Sequence, residues 1–219
     1  IAGDTVGTAG SVFTFADKNA GTGKTVNLTG TTLTGADSGN YTLTIPATAL
    51  GRILKKAMTT NITANGKTYD GPTAATGSVS LSGLVAGDAV STGAITFTFA
   101  DKNAGTGKTV AIGGGLSGAD AGNYAVTLPA TVLADILKKS LTAMFTANGK
   151  VYDGTTAATG TVALNGVAAG DSVGTSGTTF VFADKNAGSG KTVNVAGTTL
   201  TGTDSGKYTL PIPATEVAD

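Results

Sequence analysis

The chain repeats itself. The stretch from Phe15 to Val26, Phe-Ala-Asp-Lys-Asn-Ala-Gly-Thr-Gly-Lys-Thr-Val, returns from Phe99 to Val110 and, with one change, from Phe182 to Val193, at offsets of 84 and 83 residues. Tyr41, Tyr124 and Tyr208 follow at offsets of 83 and 84, while Tyr69-Asp70-Gly71 and Ile53-Leu54-Lys55-Lys56 each return once, at Tyr152 and Ile136. A period of about 83 residues is far longer than that of a solenoid and falls in the size range of small self-contained domains, so each unit is expected to own a core.

A tandem array has no intrinsic start, and 219 residues hold two full periods and a part. The joints are placed near Gly51-Arg52 and Ala134-Asp135. Each follows an extended segment containing a proline, Ile45-Pro46-Ala47-Thr48 or Leu128-Pro129-Ala130-Thr131, and proline there ends a ladder and stiffens the connection. On this phase residues 1–51 are the C-terminal part of a unit, and residues 52–134 and 135–219 are whole. The competing phase makes 1–83 and 84–166 whole. The pairs Ile53-Leu54 and Ile136-Leu137 are expected to pack between adjacent units.

Within each unit apolar residues recur at every second position, the mark of strands with one buried face. In the second unit the sets are Met58 and Ile62; Val79 and Leu81; Ile95, Phe97 and Phe99; Val110 and Ile112; Tyr124, Val126 and Leu128. Those of the third are Leu141 and Phe145; Val162 and Leu164; Phe180 and Phe182; Val193 and Val195; Tyr208, Leu210 and Ile212. Threonine and serine fill the outward positions, and breaks such as Asp70-Gly71, Ser82-Gly83 and Gly113-Gly114-Gly115 suit turns. The pattern predicts an all-β chain of tandem antiparallel β-sandwich domains, immunoglobulin-like, in an extended array. The alternative is repeats of β-grasp type. A single helical spacing, Leu50, Ile53, Leu54, Met58, crosses the first joint and leaves open a short helical turn there, set against a linker feeding a strand.

Composition then removes most chemistry. The chain has no Cys, Trp or His and a single Glu, Glu216. Serine–histidine and cysteine–histidine nucleophile systems are therefore absent, as are thiolate and imidazole metal sites, and no enzyme is expected. Fourteen basic against fourteen acidic residues give no net field to draw nucleic acid or an anionic membrane. The apolar runs are too short to span a bilayer. Neither a basic start nor an apolar leader opens the chain at Ile1-Ala2-Gly3-Asp4, so it reads as cut from a longer polypeptide.

Two motifs invite a ligand. Gly23-Lys24-Thr25 ends like a phosphate-binding loop, but the glycine that should open the motif falls on Lys18, Lys102 or Lys185, and a strand follows where a helix is needed. Asp17, Asn19 and Gly21 begin like a calcium loop, yet Lys18 intrudes and no Glu closes it. Calcium held by loop carbonyls with Asp17, Asp101 or Asp184 remains the one cofactor open; an aspartate closing its own turn is the simpler reading. Lys24, Lys108 and Lys191 are the candidates for a covalent cross-link to asparagine. No catalytic, cofactor-binding or metal residue is otherwise assigned.

Tyr69-Asp70-Gly71-Pro72-Thr73-Ala74-Ala75 and Tyr152-Asp153-Gly154-Thr155-Thr156-Ala157-Ala158, then Ala-Gly-Asp, then the Asp-Lys-Asn stretch, then Gly118-Ala119-Asp120-Ala121-Gly122-Asn123-Tyr124, stand in fixed order. In this the chain resembles, over its whole length, the YDG-type repeats of large bacterial surface and secreted adhesins. Those are related to the MBG-type stalk domains of proteins resembling filamentous haemagglutinin, exported by two-partner secretion. The first copy lacks its Tyr-Asp-Gly, and Pro72 stands where the third copy has Thr155. The resemblance implies a structural spacer on the bacterial surface or outside the cell, serving attachment or biofilm matrix. Its partners would be neighbouring repeats, identical chains through edge strands, and a host or matrix ligand bound by other regions. A glycan- or ligand-binding module and a threonine-rich ice-binding surface (Thr31-Thr32-Leu33-Thr34, Thr198-Thr199-Leu200-Thr201) are the competing functions. The segments ending in Tyr41, Tyr124 and Tyr208 also look like the tyrosine corner of immunoglobulin-like sandwiches, in which the hydroxyl bonds back to the backbone.

Overall fold

A computed structural model describes residues 1–218; Asp219, the last residue of the expected third unit, lies outside them. The described chain is all-β, with three one-turn 3₁₀ segments, Ser38–Asn40, Ala121–Asn123 and Ser205–Lys207, as its helical content. It forms two compact bodies, each drawn from successive repeats. One comprises Ile1–Asn61, Val79–Ile95 and Gly114–Leu128, and the other Ile62–Ser78, Thr96–Gly113 and the chain from Pro129 on.

In the first body Val12–Phe15, Gly21–Thr29 and Thr48–Ile53 form an antiparallel sheet, with Phe15 opposite Val26 and Val26 opposite Ala49. The register slips between Gly21 and Lys24, where Gly23 adopts φ 63°. Gly-x-Gly-Lys thus makes a β-bulge, a place that asks for glycine in the left-handed region. The segment Tyr124–Val126 lies parallel to the start of Lys56–Ala64, pairing Tyr124 with Lys56 and Val126 with Met58.

The second body holds a five-stranded sheet in the order Lys67–Thr68, Thr131–Leu137, Gly105–Gly113, Thr96–Phe99, Ala74–Ala75. It also holds a four-stranded sheet, Ala157–Ala158, Thr179–Phe182, Lys191–Ala196, Thr215–Ala218. Thr142–Ala147 pairs with Gly160–Asn165 in an antiparallel hairpin. Among the described residues the sheets are antiparallel except at three short places: Tyr124–Val126 on Lys56–Ala64, Thr131–Leu137 on Lys67–Thr68, and Lys139–Ser140 on Tyr208–Thr209. All three bring the start of one repeat, or its linker, against a strand far away in the chain.

Period-two alternation placed most of the core, because inward residues of a pleated strand share one face; Ile212, expected inward, is exposed because it lies beyond the end of the Tyr208–Thr209 strand. Phe99, Val110, Tyr124, Leu141, Phe145, Phe180, Phe182, Val193, Val195 and Tyr208 are all buried. In the second body one cluster joins Tyr69, Phe99, Val110 and Ile136 to Leu141 and Tyr208, and another gathers Phe145, Phe180, Phe182, Val193 and Val195. The helical turn left open across the first joint is a strand instead, since Thr48–Ile53 and Lys56–Ala64 flank it. Leu50 and Leu54 are 79% and 67% exposed, so the spacing that suggested a buried stripe was incidental. The apolar pairs at the joints divide in the same way: Ile136 is buried, and Leu137 faces outward.

Candidate functional site: the junction between repeats

Each repeat carries one tight turn whose fourth residue is an aspartate. In Val85-Ala86-Gly87-Asp88 the Asp88 amide donates to the Val85 carbonyl at 3.1 Å, and in Ala168-Ala169-Gly170-Asp171 the same bond is 3.1 Å. Gly87 (φ 90°) and Gly170 (φ 86°) occupy the third position, where a type II turn requires positive φ. The turn leaves the backbone N–H of its first residue pointing inward, and a tyrosine takes it. The Tyr124 hydroxyl accepts from Val85 N at 3.0 Å and donates to Asp88 Oδ2 at 2.7 Å. Tyr208 repeats this with Ala168 N at 2.9 Å and Asp171 Oδ2 at 2.7 Å, and Tyr41 with the Ile1 amine and Asp4 Oδ2, both at 2.6 Å. The tyrosine-corner expectation is met in part: the hydroxyl does bind backbone, but at a turn some forty residues upstream, and it binds a carboxylate as well.

A second carboxylate stands beside the first. Asp120, which precedes the 3₁₀ turn leading to Tyr124, accepts from Ala89 N at 2.9 Å rather than capping its own turn. Asp204 accepts from Ser172 N at 2.8 Å, and Asp37 from Thr5 N at 2.8 Å.

The preceding repeat supplies the countercharge. In the Asp17-Lys18-Asn19 turn, Asn19 N donates to Asp17 Oδ1 at 2.8 Å and Lys24 Nζ sits 2.5 Å from both Asp17 oxygens, which closes the turn and frees Lys18 to reach out. Lys18 Nζ lies 2.6 Å from Asp88 and 2.9 Å from Asp120. Beside it, Ala20 N donates to Asn123 Oδ1 at 2.9 Å. One period later Lys102 Nζ lies 3.0 Å from Asp171. Here the cluster is larger, because the Tyr69 hydroxyl donates to Asp171 Oδ2 at 2.6 Å. Lys207, standing where the second repeat has Asn123, pairs with Asp204 and sits 3.9 Å from Asp171.

The electrostatics follow from these contacts. Burial alone would raise the Asp171 carboxyl, but the Tyr69 and Tyr208 hydroxyls with the Lys102 and Lys207 ammoniums outweigh it and hold the group far below the ordinary carboxylate range. Tyr69 is pushed up to about 12, first by burial and then by the Asp171 charge. Lys18 beside Asp88 and Asp120 holds its proton more tightly than a free lysine; Asp88 is lowered by Lys18 and Tyr124, and Asp120 by the Ala89 amide and Lys18. Among the described residues no buried side-chain polar atom lacks a hydrogen-bond partner. The arrangement is a closed set of charge-assisted bonds, and what it does is join a lysine of one repeat to the Ala-Gly-Asp carboxylate of the next, with Asp120 as a second acid at the first junction.

The motifs singled out from sequence lie elsewhere. Asp17, Asp101 and Asp184 each bind Lys24, Lys108 or Lys191 and the amide two residues on, so these carboxylates and lysines are paired as turn-closing ions. Thr198 is buried with its hydroxyl 3.0 Å from Thr178, and Thr31 meets Ser11 at 3.0 Å. Sequence reasoning missed the junction, although its signal was there: a lysine, an Ala-Gly-Asp and a second aspartate each recurring in step with the tyrosines.

Compared with models of known families, the chain matches the YDG domain three times, over residues 1–49, 54–132 and 137–216. No curated protein and no solved structure matches it.

Proposed function

The chain belongs to the YDG domain family, and on that premise we propose that it is a run of spacer repeats in a bacterial extracellular adhesin, carrying a distal binding region from the cell surface and supporting attachment or matrix formation. Its partners in this role are the neighbouring repeats of the same polypeptide. One observation carries the reading: Lys18 on Asp88 and Lys102 on Asp171 are the same contact made twice, which supports repeats built to hold the one after. An ion pair alone would be a weak joint. At the second junction the added bonds of Tyr69 and Tyr208 to a carboxylate that is 1% exposed, and the parallel pairing of Lys139–Ser140 with Tyr208–Thr209, give it direction as well as strength. A spacer needs such joints more than it needs a ligand pocket.

The test is twofold. Placed between a cell-surface anchor and a binding domain of known ligand, the chain should restore ligand capture that the anchor without a spacer does not support, and the isolated chain should bind nothing on a glycan array. Saturable glycan binding by the isolated chain, removed by substituting exposed aromatics such as Phe13 or Tyr152, would overturn the spacer reading in favour of a binding module.

A further inference from the structure

The second and third repeats carry the same receiving face, and they differ in what covers it. In the second, Tyr69 is 2% exposed. Its amide donates to the Leu137 carbonyl at 2.8 Å, Lys67–Thr68 pairs with the linker at Ile136 and Leu137, and its ring meets that of Tyr208 edge-on at 5.4 Å. Leu141, at the start of the next repeat, completes the cover. Each receiving residue recurs 83 positions later as Lys150, Tyr152, Phe182 and Lys185.

The receiving loop is already shaped in the third repeat. Lys150 binds Asp153 at 2.8 Å and lies 5.9 Å over the Phe182 ring, as Lys67 binds Asp70 at 2.6 Å and lies 5.7 Å over Phe99. Lys191 closes the Asp184 turn as Lys108 closes that of Asp101. Yet Tyr152 is 60% exposed, Lys150 and Val151 form no strand, and Lys185, unlike Lys18 and Lys102, makes no ion pair among the described residues. The counterparts of Ile136, Leu137, Leu141, Asp171 and Tyr208 would come after residue 218.

We infer that the face formed by Tyr152, Phe182 and Lys185 is a docking surface for the leading half of a further YDG repeat, one that offers a leucine after its linker, an Ala-Gly-Asp turn for Lys185, and a tyrosine to stack against Tyr152. The occupant is specified by the filled face of the second repeat, and by charge: a lone lysine beside an apolar patch calls for an acid turn carried on an apolar strand. The inference stands whether or not the protein acts outside the cell.

The experiment extends the chain. A copy of residues 136–219 is appended after Asp219, so that it follows the third repeat as Ile136 follows Asp135. Tyrosine nitration by tetranitromethane and amide exchange, both read by mass spectrometry, are compared with those of the 219-residue chain. Tyr152 should react readily in the shorter chain, fall to the slow rate of Tyr69 in the longer one, and gain amide protection across residues 150–153. Lys185→Glu in the longer chain should restore Tyr152 reactivity, and in the shorter chain should leave the melting temperature unchanged. Overturning results are a Tyr152 that stays reactive while the appended copy is itself protected from exchange, an appended copy that acquires no protection, or a Lys185→Glu chain in which Tyr152 remains covered. Protection of Tyr152 in the shorter chain by an added glycan, and not by the appended repeat, would assign the face to a sugar.

Discussion

The hydroxyl of Tyr69 donates to the carboxylate of Asp171 at 2.6 Å across 102 residues of chain, one residue in the second repeat and the other in the third. Tyr208 reaches the same oxygen at 2.7 Å. A buried carboxylate with two hydroxyls and two ammoniums around it is costly to neutralise, since its partners are left without the charge they were placed around. Asp171→Asn should therefore destabilise the second body by about 3 kcal/mol, read as a lower urea midpoint of the transition that exposes Tyr69.

Because both tyrosines share one oxygen, their contributions should not add. Tyr69→Phe and Tyr208→Phe should each cost about 1.5 to 3 kcal/mol, as hydrogen bonds to a charged group do. The double variant should fall short of the sum, because a carboxylate already deprived of one donor has less to lose from the second. A double-mutant cycle by chemical denaturation measures the coupling; strict additivity would mean that the hydroxyls act separately.

The pH profile follows from the same cluster. Asp171 titrates lower folded than unfolded, and Asp17, Asp88, Asp101, Asp120, Asp184 and Asp204 are lowered too. Below about pH 4, the ordinary aspartate value, the unfolded chain binds more protons than the folded one, so stability should decline steadily as the medium is acidified further. Tyr69 titrates higher folded, at about 12, against an ordinary value of about 10. Between those values the folded state holds the extra proton, and stability should fall as pH rises. With no histidine in the chain, urea midpoints should be flat from about pH 5 to 9.

Two glycines separate packing from backbone freedom. A Cβ at Gly160 would lie 2.6 Å from the Thr146 carbonyl oxygen and 2.7 Å from the Phe180 ring, whereas one at Gly206 would meet nothing. Gly160→Ala should destabilise by about 1 to 3 kcal/mol through overpacking, and Gly206→Ala should be neutral or stabilise by up to about 1 kcal/mol through the unfolded state. Thermal melts of the two variants should shift in opposite directions or differ by several degrees.

What was legible in the sequence was local. Alternation identified the buried faces around Phe99, Val110 and Val193, and the glycines after Asp70 and Ser82 adopt the positive φ that a turn asks for. Two things were hidden. The parallel pairing of Tyr124 with Lys56 leaves no trace in either segment, because a strand's pattern records which face is buried and not which strand lies beside it. The acid–tyrosine–lysine junction was hidden by its own regularity. Lys18 and Asp88 lie 70 residues apart, less than a period, and an array whose phase is free offers no reason to pair a lysine with the next aspartate rather than its own. Leu50 misled in the opposite sense, offering a helical spacing on a residue that packs against little.

Each junction sets one lysine from the repeat before on the aspartate of an Ala-Gly-Asp turn in the repeat after, with Asp120 adding a second carboxylate at the first, and the lysine and the turn recur with the period of the chain. Unequal recombination that removed or duplicated one period in frame would therefore bring a lysine of the old sequence against an Ala-Gly-Asp carboxylate equivalent to the one it lost, with no new surface to evolve. Fourteen positive and fourteen negative charges in the present chain mean that such changes in copy number would add or subtract nearly neutral blocks. Length in a gene of this kind can drift while colloidal behaviour and the fit of every surviving joint stay as they were.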